Sequence, residues 1–290
     1  MHIIIKKHLI ESDKLANDIK IVNTADYHYS NISSRSKFII VRDSIKNIKP
    51  DYISISGDYI DMPEILENPI RYEESLIYIE QLSRIAKVIM SIGSHEYMLK
   101  KGGAYYNTNW FNDIDSIPNV ELLNNKRFID GDINFYGYTP TRRYYYNKTG
   151  FEDENELIKD FCNKMPEIDN ELYNVLLCHS PIKILNPKVL EEIIGLKNVD
   201  LVLSGHMHNG MLPNFMNDLI KGNKGFIAPN KKLFPDNARG MISRKIDDKE
   251  IYMNVTGGVT KIQETAPKIL HFVDKLYQPQ IDYIHIKGIK

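Results

Sequence analysis

Long hydrophobic runs, cysteine and an excess of charge of one sign are all scarce in this 290-residue chain, and each scarcity excludes something. The opening Met-His-Ile-Ile-Ile-Lys-Lys-His-Leu-Ile breaks its apolar stretch far short of a signal-peptide core or of the roughly 20 residues that span a bilayer. A cytoplasmic protein is the expectation, with peripheral membrane contact left open, as is an anchor removed before Met1. Two cysteines, Cys162 and Cys178, make no disulfide framework, and Cys178, at the end of the apolar run from Val175, reads as a reduced core thiol. Lys plus Arg number 37 against 38 Asp plus Glu, so no broad positive field exists to favour nucleic acid. A hydrophobic content of 42% is ordinary for a chain that buries a core, which excludes disorder and fibrous forms.

What is present is a set of short apolar segments of one design: Ile19 to Ala25, Tyr52 to Ser56, Val88 to Ile92, Tyr173 to Cys178 and Asp200 to Ser204. Apolar residues run almost continuously in each instead of alternating, which predicts strands buried on both faces. Helical segments separate them, over Lys37 to Ile48, Tyr72 to Ala86, Asp153 to Met165 and Pro187 to Ile194; in the second, Leu76, Ile79, Leu82, Ser83 and Ala86 share one face. Strand, helix, strand repeats imply parallel sheets. From Asn119 the texture changes. Arg127 to Ile129 and Ile133 to Tyr136 flank Asp130-Gly131-Asp132, and Met241 to Ile246 and Glu250 to Val255 flank Asp247-Asp248-Lys249, which predicts two hairpins. Ile281 to Ile286 alternates as a strand, and Lys221 to Pro235 reads as a long loop. The expected fold class is α/β, with two mixed β-sheets packed face to face and flanked by helices, in a single domain over residues 1–290.

Chemistry enters where the five strands end. The chain continues there as Asp26-Tyr27-His28, Gly57-Asp58, Gly93-Ser94-His95-Glu96, His179 and Gly205-His206-Met207-His208. Beyond the carboxyl ends of parallel strands, residues far apart in sequence become neighbours. Imidazole with carboxylate suits Mn, Fe or Zn better than Mg or Ca, which favour oxygen alone. Asp26 with His28, and His206 with His208, project to one side if their segments are extended.

From about residue 19 to 208 the ordered series Asp-x-His, Gly-Asp, Gly-x-His-Glu, His, Gly-His-x-His resembles the calcineurin-like metallophosphoesterase family. Thr256-Gly257-Gly258 is similar to an element that follows the paired histidines in its bacterial branch of soluble or membrane-associated phosphodiesterases. The resemblance implies a four-layer sandwich and a metal-dependent phosphoesterase with two divalent ions. It implies that Asp26, His28 and His208 hold one ion, that His179 and His206 hold the other, and that Asp58 bridges both. A metal-bridging hydroxide then attacks the phosphate in line, while His95 contacts the phosphate and helps the leaving oxygen depart.

Ser94 stands where the family usually has Asn. A hydroxyl is a poorer ligand than an amide oxygen, so the second ion is expected to bind more weakly than the first. Asp61 and Glu96 read as orienting or capping groups outside the first ring of ligands. The run Arg142-Arg143-Tyr144-Tyr145-Tyr146 supplies Arg142, Arg143 and Tyr144 as candidate substrate contacts, the alternative being an ordinary amphipathic loop. Ser33-Ser34-Arg35 either approaches substrate or is a solvated loop. Met207 reads as packing, and His2, His8, His271 and His285 have no motif context. The expected substrate is a phosphodiester or a small phosphorylated metabolite. A metal-binding scaffold without turnover, a nuclease and a peripheral membrane enzyme acting on lipid head groups stay open as alternatives.

Overall fold

The computed structural model describes residues 2–31, 33–96, 108–141, 144–145, 153–181, 183–212, 220, 222–229, 232–261, 264, 268 and 277–290. The strands are β1 (Ile4–Ser12), β2 (Ile19–Thr24), β3 (Tyr52–Ser56), β4 (Lys87–Ser91), β5 (Val120–Leu123), β6 (Lys126–Asp130), β7 (Ile133–Tyr138), β8 (Tyr173–Cys178), β9 (Leu201–Ser204), β10 (Gly240–Ile246), β11 (Lys249–Val255) and β12 (Gln280–Gly288). The helices used below are α1 (Arg35–Ile48), α2 (Pro69–Ser83), α3 (Thr108–Asp115), α4 (Glu154–Lys164) and α5 (Pro187–Glu192). The strands form two six-stranded sheets, ordered β1-β12-β2-β3-β4-β5 and β10-β11-β9-β8-β7-β6. Both are mixed: β2, β3, β4 and β5 run parallel, as do β7, β8, β9 and β11, while β12 is antiparallel to β2, and β6 and β10 are antiparallel to β7 and β11.

The uninterrupted apolar strands follow from three stacked cores. Side chains of a strand alternate between faces, so neighbours in sequence serve different layers. Ile21 packs between the sheets with Ile89, Ile284, Val175, Leu177, Leu201 and Leu203, while adjacent Val22 faces Val41 and Ile45 of α1 and Ile79 and Leu82 of α2. In the second sheet Leu176 and Val202 turn outward onto Leu157 and Phe161 of α4 and Val189 and Leu190 of α5. The architecture is therefore helix, sheet, sheet, helix, as expected. Each fully buried Val, Leu or Ile contributes about 1.5–3 kcal/mol of hydrophobic stabilisation.

Helix starts follow local chemistry. Asn68 caps α2, accepting from Ile70 N at 3.0 Å and Arg71 N at 3.3 Å, with Pro69 in the first turn; this begins the helix three residues before the periodicity alone indicates. Asp153 caps α4 in the same way. Both expected hairpins form. Their turns are tighter than read, since Asp130 pairs with Ile133 and Ile246 with Lys249, leaving two residues in each turn. Cys162 is exposed and Cys178 buried, and both are free. Among the described residues no helix is long and apolar enough to cross a membrane.

A polar seam interrupts the layer between the sheets near the carboxyl ends of the parallel strands. Fully buried Asn23 on β2 accepts from Ser54 Oγ and Ser56 Oγ, both at 2.8 Å, and donates to Asn254 Oδ1 on the facing sheet at 2.7 Å. Asn254 Nδ2 donates in turn to Asp282 Oδ1 at 3.1 Å, whose carboxylate also meets His8 Nε2 at 2.8 Å and Gln280 Nε2 at 3.0 Å. Removing one member strands several buried polar atoms. Asn23→Ala is expected to lower unfolding free energy by roughly 3 kcal/mol, read as a shift in urea midpoint at unchanged slope.

Candidate metal centre

Five turns beyond the strand ends bring the motif residues together. Asp26 N–H donates to Gly57 O at 3.1 Å, His28 N–H to Asp58 O at 3.1 Å and Gly205 N–H to His179 O at 3.1 Å, so the turns are stitched to each other as well as to their strands. The expected extended geometry is corrected here. Asp26, His28, Asp58, His206 and His208 all have positive φ, at 51°, 44°, 52°, 67° and 47°. Left-handed backbone at a non-glycine residue costs about 1–3 kcal/mol and persists where the surroundings impose it. Here the turns fold back over the sheet ends and aim side chains inward, which an extended segment leaving the sheet cannot do. Gly57, at φ 83°, and Gly93 make room for this; a Cβ on Gly57 would lie 2.7 Å from Gly93 Cα and from His179 Nδ1.

The side chains so aimed are buried and close. His28 Nε2 and His208 Nε2 are 3.4 Å apart, and Asp26 Oδ1 lies 3.9 and 3.7 Å from them. His206 Nδ1 and His179 Nε2 are 3.2 Å apart, and His179 Nε2 lies 2.9 Å from Asp58 Oδ2. His179 Nε2 is also 3.9 Å from Asp26 Oδ1, which joins the two halves. Three sets of side chains place ligand atoms within 4.8 Å of one another: Asp26, His28 and His208; Asp58, His179 and His206; and His28, Asp58 and His95.

The partners on the far side of three of the rings show that the donor set fits a cation. His179 Nδ1 bonds Ser56 O at 2.7 Å and His208 Nδ1 bonds Thr260 O at 3.0 Å; a carbonyl only accepts, so those nitrogens carry the protons. His28 Nδ1 stands 3.2 Å from Asp61 Oδ1, which holds its proton on the same side. In the neutral rings the inward nitrogens are then bare. Lone pairs facing each other at 3.4 Å repel unless a proton or a metal ion lies between them.

Electrostatics agree. Burial opposes charge on His179, but the Asp58 carboxylate outweighs it and raises the imidazole to about 9. Burial lowers His208 to about 3, despite Asp26. For Asp58, burial pulls upward, yet the charges of His179, His95 and His28 hold the carboxyl well below the usual range. Electrostatics thus favour a proton on His179 and disfavour a second one on His208.

The supporting groups occupy definite places. Glu96 lies behind the centre and accepts from four backbone amides: Gly93 N at 2.7 Å, Asp58 N at 3.0 Å, Tyr59 N at 2.6 Å and Ile60 N at 3.1 Å. Burial and the nearby Asp58 charge raise its carboxyl to about 7. Asp61 stands behind His28, with its backbone oxygen on His95 Nδ1 and its Oδ2 on Glu264 N at 2.7 Å. His95 Nε2 is 3.9 Å from Asp58 Oδ2, and burial lowers the His95 pKa. Ser94 Oγ donates to the Asp58 carboxylate, 3.2 Å from Oδ2 and 3.4 Å from Oδ1.

Arg142 and Arg143 lie outside the described residues. Tyr144 is fully buried in the outer core of the second sheet, and its ring stands behind Tyr145 with centroids 5.2 Å apart. Tyr145 is buried in the same core, 2% exposed, and its ring lies 5.7 Å from that of His206. Thr260 was missed by the sequence reading because it acts through its backbone, donating its N–H to Asp26 O at 2.9 Å and accepting from His208.

The calcineurin-like phosphoesterase family model matches residues 19–210 of this chain. A protein of Aquifex aeolicus described as an uncharacterized metallophosphoesterase is 26% identical over 211 residues, covering 72% of this chain and 70% of that protein. One of Helicobacter pylori with the same description is 25% identical over 208 residues, covering 72% of this chain and 49% of that protein, so the chain spans about half the length of this relative. Among solved structures, a dimetal phosphatase from Danio rerio aligns with a TM-score of 0.43 and 11% identity, covering 83% of this chain and 88% of that one.

Metal binding at this cluster is expected to displace the proton held by His179, because a ligand nitrogen must be bare and this one is protonated below about pH 9. Affinity then rises with pH up to that value. Calorimetric titration of Mn into metal-stripped protein, in buffers of differing ionisation enthalpy at pH 7, should report release of about one proton; buffer-independent heats would contradict a protonated His179.

Proposed function

Because this chain belongs to the calcineurin-like phosphoesterase family and is a metal-dependent phosphoesterase, we propose that it is a binuclear enzyme hydrolysing a phosphodiester or a small phosphorylated metabolite. One observation carries this reading: four imidazoles and two carboxylates converge from both sheets, with pairs of inward ring nitrogens 3.2 and 3.4 Å apart. Asp26, His28 and His208 would hold one ion, His179 and His206 another, and Asp58 would touch both. Divalent ions bound there supply Lewis-acid polarisation of the phosphoryl oxygens and lower the pKa of a water.

The remaining work falls to the chain's own groups. Asp61 and the carbonyls of Ser56 and Thr260 fix the ligand rings, so no reorganisation of these groups is needed on binding. Glu96 ties the Asp58 turn to the His95 turn. In the reaction a water, having given up one proton to solvent, would form the new bond to phosphorus through its oxygen as the ester oxygen departs with the bonding pair. His95, its Nδ1 held by Asp61 O, presents Nε2 to that oxygen and delivers the proton. Burial lowers the pKa of this ring, so its proton-bearing form depends on the negative phosphate, which opposes that effect as it arrives.

Chelator-treated protein is expected to release little 4-nitrophenol from bis(4-nitrophenyl) phosphate until Mn is restored; no metal-stimulated release from protein shown to contain metal would end this reading. His95→Ala should lose about 10² to 10⁴ in kcat on an alkyl ester, and far less where 4-nitrophenolate leaves without a proton. The hydroxyl of Ser94 is engaged by Asp58, so the second ion is expected to dissociate first. Metal counts after limited dialysis should show one ion retained by the native protein and two by Ser94→Asn; equal retention would refute it.

A further inference from the structure

Between Gly222 and Arg239 the chain builds a small tongue that the metal centre does not use. Ile227 and Leu233 pair as an antiparallel bridge. Ala228 N–H donates to Lys232 O, Phe234 N–H to Phe226 O and Gly225 N–H to Pro235 O, each at 2.9 Å. Its root is fixed: Phe226 and Ile227 donate their amides to Gly210 O at 2.8 and 3.1 Å, and Ala228 and Ala238 are buried in the outer core of the second sheet. Gly210 lies two residues beyond His208, so the tongue stands at the border of the cluster.

Its outer part groups exposed apolar side chains. Phe226, Leu233 and Phe234 are 41%, 58% and 55% exposed, and the two phenyl rings meet edge to face with centroids 5.7 Å apart. Water gains nothing from such a group, and clustered exposed aromatics with leucine mark an interaction site. Basic residues dominate this part of the sequence. Residues 221–239 contain Lys221, Lys224, Lys231, Lys232 and Arg239 against a single acid, Asp236, in a chain whose net charge is −1. Lys224 Nζ lies 3.5 Å from Asp236 Oδ1, and both side chains are largely exposed.

We propose that this tongue docks the protein on an anionic membrane surface, with Phe226, Leu233 and Phe234 entering the headgroup boundary and Lys224 and Lys232 meeting lipid phosphates. Apolar insertion beside cationic groups is the chemistry of reversible interfacial binding. The long lysine stems cover apolar surface while their ammonium groups remain at the headgroups. A second copy of the chain is a poorer occupant, because it would oppose one basic tongue to another. Docking here holds the metal centre beside the bilayer, so the substrate class is a phosphate ester borne at the membrane surface. That last step rests on the phosphoesterase reading, whereas the docking rests on the tongue alone.

The experiment is sedimentation with sucrose-loaded vesicles of phosphatidylglycerol and phosphatidylcholine, or of phosphatidylcholine alone, at low and high salt. Binding should require the anionic lipid and weaken with salt. Leu233→Ser with Phe234→Ser should reduce partition on the order of tenfold or more, and Lys224→Glu with Lys232→Glu by at least about fivefold per lysine. Both double variants should keep native rates on bis(4-nitrophenyl) phosphate, showing that they fold. Equal partition of native and variant proteins, or none on either vesicle, overturns the proposal. So does concentration-dependent dimerisation in gel filtration that the Leu233 and Phe234 changes abolish, since the occupant is then a second copy. Vesicle binding without metal-stimulated diester hydrolysis would sink the enzymatic reading and leave the docking intact.

Discussion

An imidazole has two nitrogens, and a site built from several of them works only when each ring is told which one to leave bare. In this protein the instruction comes from behind. Ser56 O takes the far proton of His179, Thr260 O that of His208, and the Asp61 carboxylate stands at the far nitrogen of His28. Much of the surrounding structure serves these three contacts. Ser56 ends β3, one residue before the Gly57 turn, so forming the first sheet already delivers the acceptor for a ring carried by the second. Thr260 is held over Asp26 by its amide and turns its carbonyl onto His208. Asp61 is itself fixed by the Glu264 amide. Thr260 and Glu264 thus belong to the centre as much as the strand ends do, although they lie beyond the stretch matched by the family.

Legibility in the sequence followed the kind of signal each element gives. The five central strands could be read because burial on both faces demands an unbroken apolar run, and their ends could be read because few segments place Asp, Gly and His together so regularly. β1 gave no such signal: it lies at a sheet edge, paired to β12 alone, so Lys6, Lys7 and Glu11 remain exposed among its isoleucines. Four-residue β5 was too short to stand out, and α3, which buries Trp110 against Tyr59, begins next to residues with no apolar period. In the centre itself, side-chain identity was legible and backbone conformation was not. Positive φ at five aspartates and histidines runs against their local preference. Only the crowding of the strand ends imposes it.

Groups that act through main-chain atoms were invisible for the same reason. Any residue has a carbonyl, so nothing in the letter Thr at 260 or Ser at 56 announces a role. Tyr144 and Tyr145 were within the run singled out, yet nothing in that run announces that both rings are buried or that the Tyr145 ring lies 5.7 Å from that of His206. Glu96 marks an intermediate case. Its position after His95 suggested orientation of a neighbour, while its four amide contacts depend on how the Asp58 turn folds over it.

The seam of Asn23, Asn254 and Asp282 has a consequence for how such a protein can vary over time. Apolar contacts between two sheets resist separation but are nearly indifferent to sliding, because dispersion has little angular preference. Hydrogen bonds are directional. Placed at the end where both sheets present their turns, they set the lateral offset of one sheet on the other. Mutational drift among the isoleucines and valines of the middle layer can then proceed without shifting the spacing of the histidines, and the chemistry is insulated from much of its own scaffold.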